Sequence, residues 1–141
     1  MIILIYGSEN ISNRIKLVLD SSDVEIIAID EKITRPKDLK LLRKLKDIDL
    51  AIVDIEEIGA IQTCSYLGRV RKIALALLTD EVNTDWEKLI SYPVIAYIPK
   101  DAEDQVLASD IRRILSRIRI SSEVSRTERE VTLRTLQLAT K

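Results

Sequence analysis

A doubly wound α/β domain built on five parallel strands is the fold this sequence predicts, and three observations predict it. Short apolar runs alternate with stretches of helical periodicity over residues 1–119, the order that gives right-handed βαβ units and a parallel sheet. The runs are apolar throughout instead of alternating with polar residues, as strands covered on both faces require. The chain has 141 residues, 46% hydrophobic and 32% charged, a length and balance that support one globular core without staples.

Met1–Tyr6 is the first β-type run, followed by helical spacing of Ile11, Ile15, Val18 and Leu19. Val24–Ile29 predicts a second strand, and the leucines among lysines in Lys37–Leu45 predict a helix. Leu50–Val53 is a third strand, ended by Asp54, with a helix over Ile58–Val70 behind it. Ile73–Leu78 is a fourth strand; Asp85–Ile90 starts a short helix that Pro93 stops. Val94–Ile98 is the fifth strand. Leu107, Ile111, Ile114, Leu115 and Ile118 then fall on one helical stripe, fit to lie against a sheet. A break is expected at Ser121–Ser122. Beyond it, Ser125-Arg126-Thr127-Glu128 fits a capping box and predicts a separate helix over 126–139. The expected organisation is a domain over 1–119 with a helical extension over 120–141.

The composition excludes several chemistries. With no histidine, Ser-His-Asp and Cys-His catalysis and the usual zinc sites are out of reach. Cys64 is the one cysteine, so no internal disulfide can form, and a reducing cytoplasm is the default. No secretory leader or membrane span is visible, since the longest apolar runs are strand-sized. Net charge is −1, but residues 111–141 hold eight basic and three acidic residues against 14 and 20 in the remainder. A basic tail on an acidic body suits interaction.

In a sheet of this class, ligands sit at the carboxyl ends of the strands. Those exits carry Asp54 after the third strand, Thr79 after the fourth, and Tyr97-Ile98-Pro99-Lys100-Asp101-Ala102 across the fifth. Over roughly residues 1–119 this resembles the CheY-like receiver domains of response regulators. The resemblance implies a phosphoacceptor-equivalent Asp54, pocket residues Thr79 and Lys100 that contact phosphoryl oxygens, and a switch aromatic at Tyr97. The Lys100-Asp101-Ala102 run resembles the subclass carrying a LuxR-type (NarL class) DNA-binding domain.

The departures from that pattern decide the reading. Phosphoryl transfer to a carboxylate needs magnesium to offset crowded negative charge, and the family holds it with an acidic pair after strand one. Here the segment is Gly7-Ser8-Glu9. The pair becomes Gly7 and Ser8 in the simplest register, or Ser8 and Glu9 after a one-residue slip. Either way the cation loses carboxylates it needs. Ile58 replaces a common proline, and Asp80 follows Thr79 where a small residue is usual. The expectation is an atypical, phosphorylation-independent receiver of a signal-transduction or transcription regulator. It would be no enzyme, bind no metal or other cofactor, and act through signalling partners.

Two further resemblances are present. Ile5–Asn13 is similar to the phosphate loop of flavodoxins, which would cradle FMN in an electron carrier, although Ile11 stands where a glycine is usual. Val124–Val131 resembles the opening helix of a LuxR-type helix-turn-helix domain but stops before any recognition helix. DNA contact would then need a missing or separate domain; membrane contact is not expected. Val131 and Leu138 lie on one side of the predicted terminal helix, Leu133 and Leu136 near the other. A helix apolar on two sides sits between two surfaces, so these four residues are expected in a homodimer interface.

Overall fold

The computed structural model describes residues 1–19, 23–29, 31–80 and 85–139, with side chains described as far as Ser121. Five strands form one all-parallel sheet in the order β2-β1-β3-β4-β5. They are β1 (Ile2–Tyr6), β2 (Glu25–Ile29), β3 (Leu50–Asp54), β4 (Ala74–Leu78) and β5 (Ala96–Ile98). The connecting helices are α1 (Glu9–Val18), α2 (Lys40–Arg43), α3 (Ala60–Ser65) and α4 (Asp85–Ile90); α5 (Asp104–Ala139) follows the last strand. This is the doubly wound α/β architecture the sequence predicts.

The register places the strand exits. Tyr6 pairs with Val53 across β1 and β3, and Asp54 pairs with Leu78 across β3 and β4. Gly7, one residue past Tyr6, therefore stands beside Asp54. Residues Leu50–Val53 are fully buried, which explains why β3 shows no polar alternation. One face of the sheet builds a core from Leu4, Tyr6, Leu42, Val53, Cys64, Leu67, Leu75, Leu77 and Ile90 among others. Burying each large side chain stabilises the fold by roughly 1.5–3 kcal/mol before entropy is counted. Cys64 is part of this core, and burial pushes its thiol up to about 12, so it packs as an inert small hydrophobe.

Three elements differ from expectation. The helix predicted over Lys37–Leu45 begins as a 3-10 turn, Pro36–Leu39, because Pro36 presets φ for a helix start. The Asp38 carboxylate caps that turn by accepting the Thr34 and Arg35 amides at 3.2 and 3.0 Å. The helix predicted over Ile58–Val70 starts two residues later and widens into a π-type turn, Tyr66–Val70, closed by the Arg71 amide on the Tyr66 carbonyl.

The third difference is the tail. No break occurs at Ser121–Ser122: α5 runs unbroken through 36 residues, about 54 Å at 1.5 Å per residue. The last proline is Pro99 and the last glycine Gly68, so nothing in α5 forbids helix, and serine costs only a few tenths of a kcal/mol there. The capping pattern at Ser125 is a weaker signal than that absence of a stop. Two compact units divide the chain, Met1–Asp110 and Ile111–Lys141. In the first, Leu107 and Ala108 are buried; in the second, Ile111, Ile114 and Leu115 are buried and Ile118 is half-buried. The side chains of Val131, Leu133, Leu136 and Leu138 lie outside the described residues.

Gly59 is the most tightly enclosed of the three glycines. Its φ is +83°, and a Cβ there would lie 1.8 Å from the Ile33 carbonyl oxygen. Gly59→Ala is expected to destabilise the fold by more than about 2 kcal/mol, from left-handed strain plus the clash. Gly7→Ala, whose Cβ would meet the Asp54 Cβ at an ordinary 3.4 Å, should cost less than about 1 kcal/mol. Urea unfolding of both variants measures the difference, and equal midpoints would contradict this account of the turn.

Candidate functional site

The sheet brings Asp54, Lys100 and Gly7 together at the exits of β3, β5 and β1. Asp54 ends β3 with its side chain only 2% exposed. A carboxylate so placed needs compensation for the lost water, and both its oxygens receive it. Oδ2 lies 2.9 Å from the Lys100 ammonium, and Oδ1 accepts the Glu56 amide at 3.1 Å. Lys100 also reaches the Glu56 carboxylate at 3.0 Å, so one ammonium bridges two acids. Burial opposes its charge, yet hydrogen bonds from Nζ to Asp54 and Glu56 outweigh that and push Lys100 up to about 12.

The loop bearing Lys100 is tied down from α1. Arg14 donates to the Asp104 carboxylate at 2.6 Å, to the Lys100 carbonyl at 3.0 Å and to the Ala102 carbonyl. Thr79 follows β4, is buried, and donates its amide to the Ile98 carbonyl of β5 at 2.9 Å. Tyr97 is half-buried, its hydroxyl 3.4 Å from a Glu87 carboxylate oxygen on α4. Burial first, and then the Glu87 charge, raise its pKa above the usual value.

The β1 exit is arranged differently from the simplest picture of a carboxylate cradle. Gly7 presents no side chain to Asp54. Ser8 is the N-cap of α1, its Oγ accepting the Ile11 amide at 3.3 Å. Glu9 is exposed in the first turn of α1. These three border a separate cleft of about 330 Å³ that is also lined by Tyr6, Ile29, Glu31, Lys32 and Glu57. The cleft does not include Asp54, Thr79 or Lys100, so this concavity and the charge cluster are different places.

A magnesium ion, which this fold suggests at such an exit, does not fit the residues present. Hard divalent cations want several free oxygens, whereas Asp54 and Glu56 are spent on Lys100 and Gly7 offers none. Among the described residues no three acidic, histidine or cysteine side chains are grouped to hold a metal ion. The flavodoxin-type alternative also meets an obstacle. The Ile11 amide is already bonded to Ser8, and Trp86, the one tryptophan, packs against the core.

Sequence reading missed three contributors. Glu56 looks like any solvated loop acid, and its grip on Lys100 has no signature in spacing. Arg14 meets partners 86 to 90 residues away, beyond any local pattern. Tyr6 reads as a strand residue, yet its hydroxyl donates to the Ile58 carbonyl and accepts the Ile33 amide at 2.9 Å. It thereby joins the loops after β2 and β3.

No protein-family model and no curated protein matches the chain. Solved structures do. The N-terminal domain of a response regulator/sensory box/GGDEF three-domain protein from Carboxydothermus hydrogenoformans superposes with TM-score 0.64 at 20% identity, covering 88% of this chain and 98% of that one. The signal receiver domain of an HD domain-containing protein from Pseudomonas fluorescens gives 0.64 at 20% identity, covering 86% and 90%. A fusion carrying a trimeric coiled-coil segment of yeast Spc42 gives 0.61 at 19% identity, covering 97% and 95%. The chain therefore has the CheY-like fold of response-regulator receiver domains, a five-stranded parallel sheet between helices.

Removing Lys100 would leave a buried, unpaired carboxylate at Asp54. Lys100→Met is expected to cost about 2–3 kcal/mol, and adding Asp54→Asn should recover more than half of it. The pH dependence has a definite sign. The folded pKa of Lys100 lies above its ordinary 10.5. Its contribution is therefore fully present below pH 10.5 and is lost as pH rises through about 12. Urea titrations across that window should show the wild-type advantage over Lys100→Met shrinking. A constant advantage would mean the ion pair is not its source.

Proposed function

We propose that this chain is an atypical receiver module of a signal-transduction or transcription regulator, working by protein–protein contact and without phosphorylation. The observation that carries the reading is the Lys100 ammonium held by Asp54 at 2.9 Å and Glu56 at 3.0 Å, with Gly7 facing Asp54. A receiver's lysine normally awaits a phosphoryl oxygen; here a second carboxylate from the same chain already meets it. The Asp54 oxygens are engaged, and among the described residues no group of three acidic side chains is placed to hold a metal ion. Asp54 is then the equivalent of a phosphoacceptor in position only, with Thr79 and Lys100 as its pocket. Tyr97 is the equivalent of the switch aromatic, held on Glu87.

Output in this reading comes from self-association through the C-terminal helix, in the cytoplasm, with any DNA contact made by another domain. The support is the uninterrupted α5 together with the likeness over 97% of the chain to a coiled-coil fusion. Val124, Val131 and Leu138 recur at seven-residue intervals, and Leu133 and Leu136 occupy the other side. That pattern leaves apolar surface for a second helix.

Two measurements test these statements. Incubation with a small-molecule phosphodonor and magnesium should leave the intact mass unchanged. A stoichiometric phosphoryl gain abolished by Asp54→Asn would overturn phosphorylation independence. Gly7→Asp with Ser8→Asp should raise magnesium affinity at least about tenfold, since each restored carboxylate adds a ligand. For association, light scattering of the full chain should give a dimer mass that Leu133→Ser with Leu136→Ser shifts toward monomer. A chain ending at Ser121 that dimerises equally well would remove the helix from the interface.

A further inference from the structure

The chain's charge is concentrated in one place that neither the strand exits nor the tail explains. Residues 32–46 hold seven basic residues and one acid, while residues 1–31 and 47–110 hold seven basic and 19 acidic. The cations are Lys32, Arg35, Lys37, Lys40, Arg43, Lys44 and Lys46, and all seven are exposed. Lys37, Lys40 and Lys44 recur at three- and four-residue spacing, so they share the outer side of the Pro36–Arg43 helical segment. Leu42 on its inner side is fully buried. Leu41 stands among the lysines and is 36% exposed.

Hydrogen bonds hold both ends of this segment. Asp38 caps its start through the Thr34 and Arg35 amides. The Arg71 guanidinium closes its end by donating to the Leu42 and Leu45 carbonyls at 2.8 and 2.6 Å. Among the described residues the only ion pair on it is Arg35 with Asp38 at 3.6 Å. Like charges gathered this closely repel one another, a cost that an anionic partner would remove.

We propose that this face docks on an anionic lipid bilayer surface. Diffuse negative charge suits lysines, which act as hydrated point charges. The segment from Arg35 to Lys46 contains only basic residues, leucines, Pro36 and Asp38. It has no serine, threonine, asparagine or glutamine to bond a nucleic-acid backbone and no aromatic to stack on bases. A basic helical stretch with a leucine at its crest has the chemistry of an interfacial segment. The acidic remainder of the first unit orients the docking, because its excess of acids is repelled by the lipid charge. That no described helix is long and apolar enough to cross a membrane concerns spanning and leaves surface binding untouched.

The test is sedimentation of the full chain with vesicles of phosphatidylcholine alone, or with about 30% phosphatidylserine added, across a salt series. Binding to the acidic vesicles should exceed binding to neutral ones by more than about tenfold and fall more than about tenfold from 50 to 500 mM salt. Lys37→Glu with Lys40→Glu and Lys44→Glu should abolish it, and Leu41→Ser should weaken it about threefold. Arg129→Glu with Arg134→Glu, reversing charge on the tail instead, should change it less than about twofold. Equal binding to neutral vesicles, loss with the tail variant alone, or absence of binding would overturn the proposal. Displacement from acidic vesicles by duplex DNA at equal phosphate charge would overturn it too, assigning the face to nucleic acid.

Discussion

A carboxylate with almost no access to water is the constraint around which the strand exits are arranged. Asp54 ends the central strand and is flanked by β1 and β4, so its charge cannot be relieved by turning outward. A buried anion persists only with a cation and hydrogen bonds beside it. Lys100 supplies the cation from β5 and Glu56 supplies an amide from the next loop. The rest of the arrangement serves that pair. Arg14 holds the Lys100 carbonyl so that the lysine stem leaves the sheet in the right direction. Gly7 leaves room beside the Asp54 Cβ. Glu56 gives the ammonium a second acceptor.

The neighbouring loops are held by a different means, and it constrains them as strongly. Tyr6 belongs to the core by its ring and to two loops by its hydroxyl. Such a side chain is well suited to the border between a packed sheet and its loops, because the ring is stabilised by burial and the polar tip needs partners there. Gly59 fits against the Ile33 carbonyl only because it lacks a Cβ. The loops after β2 and β3 are thus fixed to each other without any charge. The charge cluster at Asp54 and the charge-free clasp at Tyr6 are two different kinds of support in neighbouring loops.

The fold was legible because its signal is periodic and repeated. Apolar runs such as Leu50–Val53, separated by helical spacing, leave one economical solution, and the exits that hold Asp54, Thr79 and Lys100 follow from where those runs end. The partners of these residues were not legible. Glu56 differs from Glu57 by nothing in the sequence, yet one meets Lys100 and the other lines the cleft beside β1. Arg14 acts across the whole domain. The supposed break at Ser121–Ser122 shows the opposite error, in which a real local preference was given too much weight. Serine side chains favour caps through short-range hydrogen bonds, but a helix already propagating loses little by passing through them.

The start of α5 is tied to the charge cluster within the first unit. Its first turn includes Asp104, which Arg14 grips together with the loop that carries Lys100. The beginning of the helix is therefore bonded to the same loop that neutralises Asp54. A change in the charge cluster that shifted this loop would strain the Arg14 contacts first, and those contacts end on α5. Lys100 itself is shared between two carboxylates, one buried and one 55% exposed.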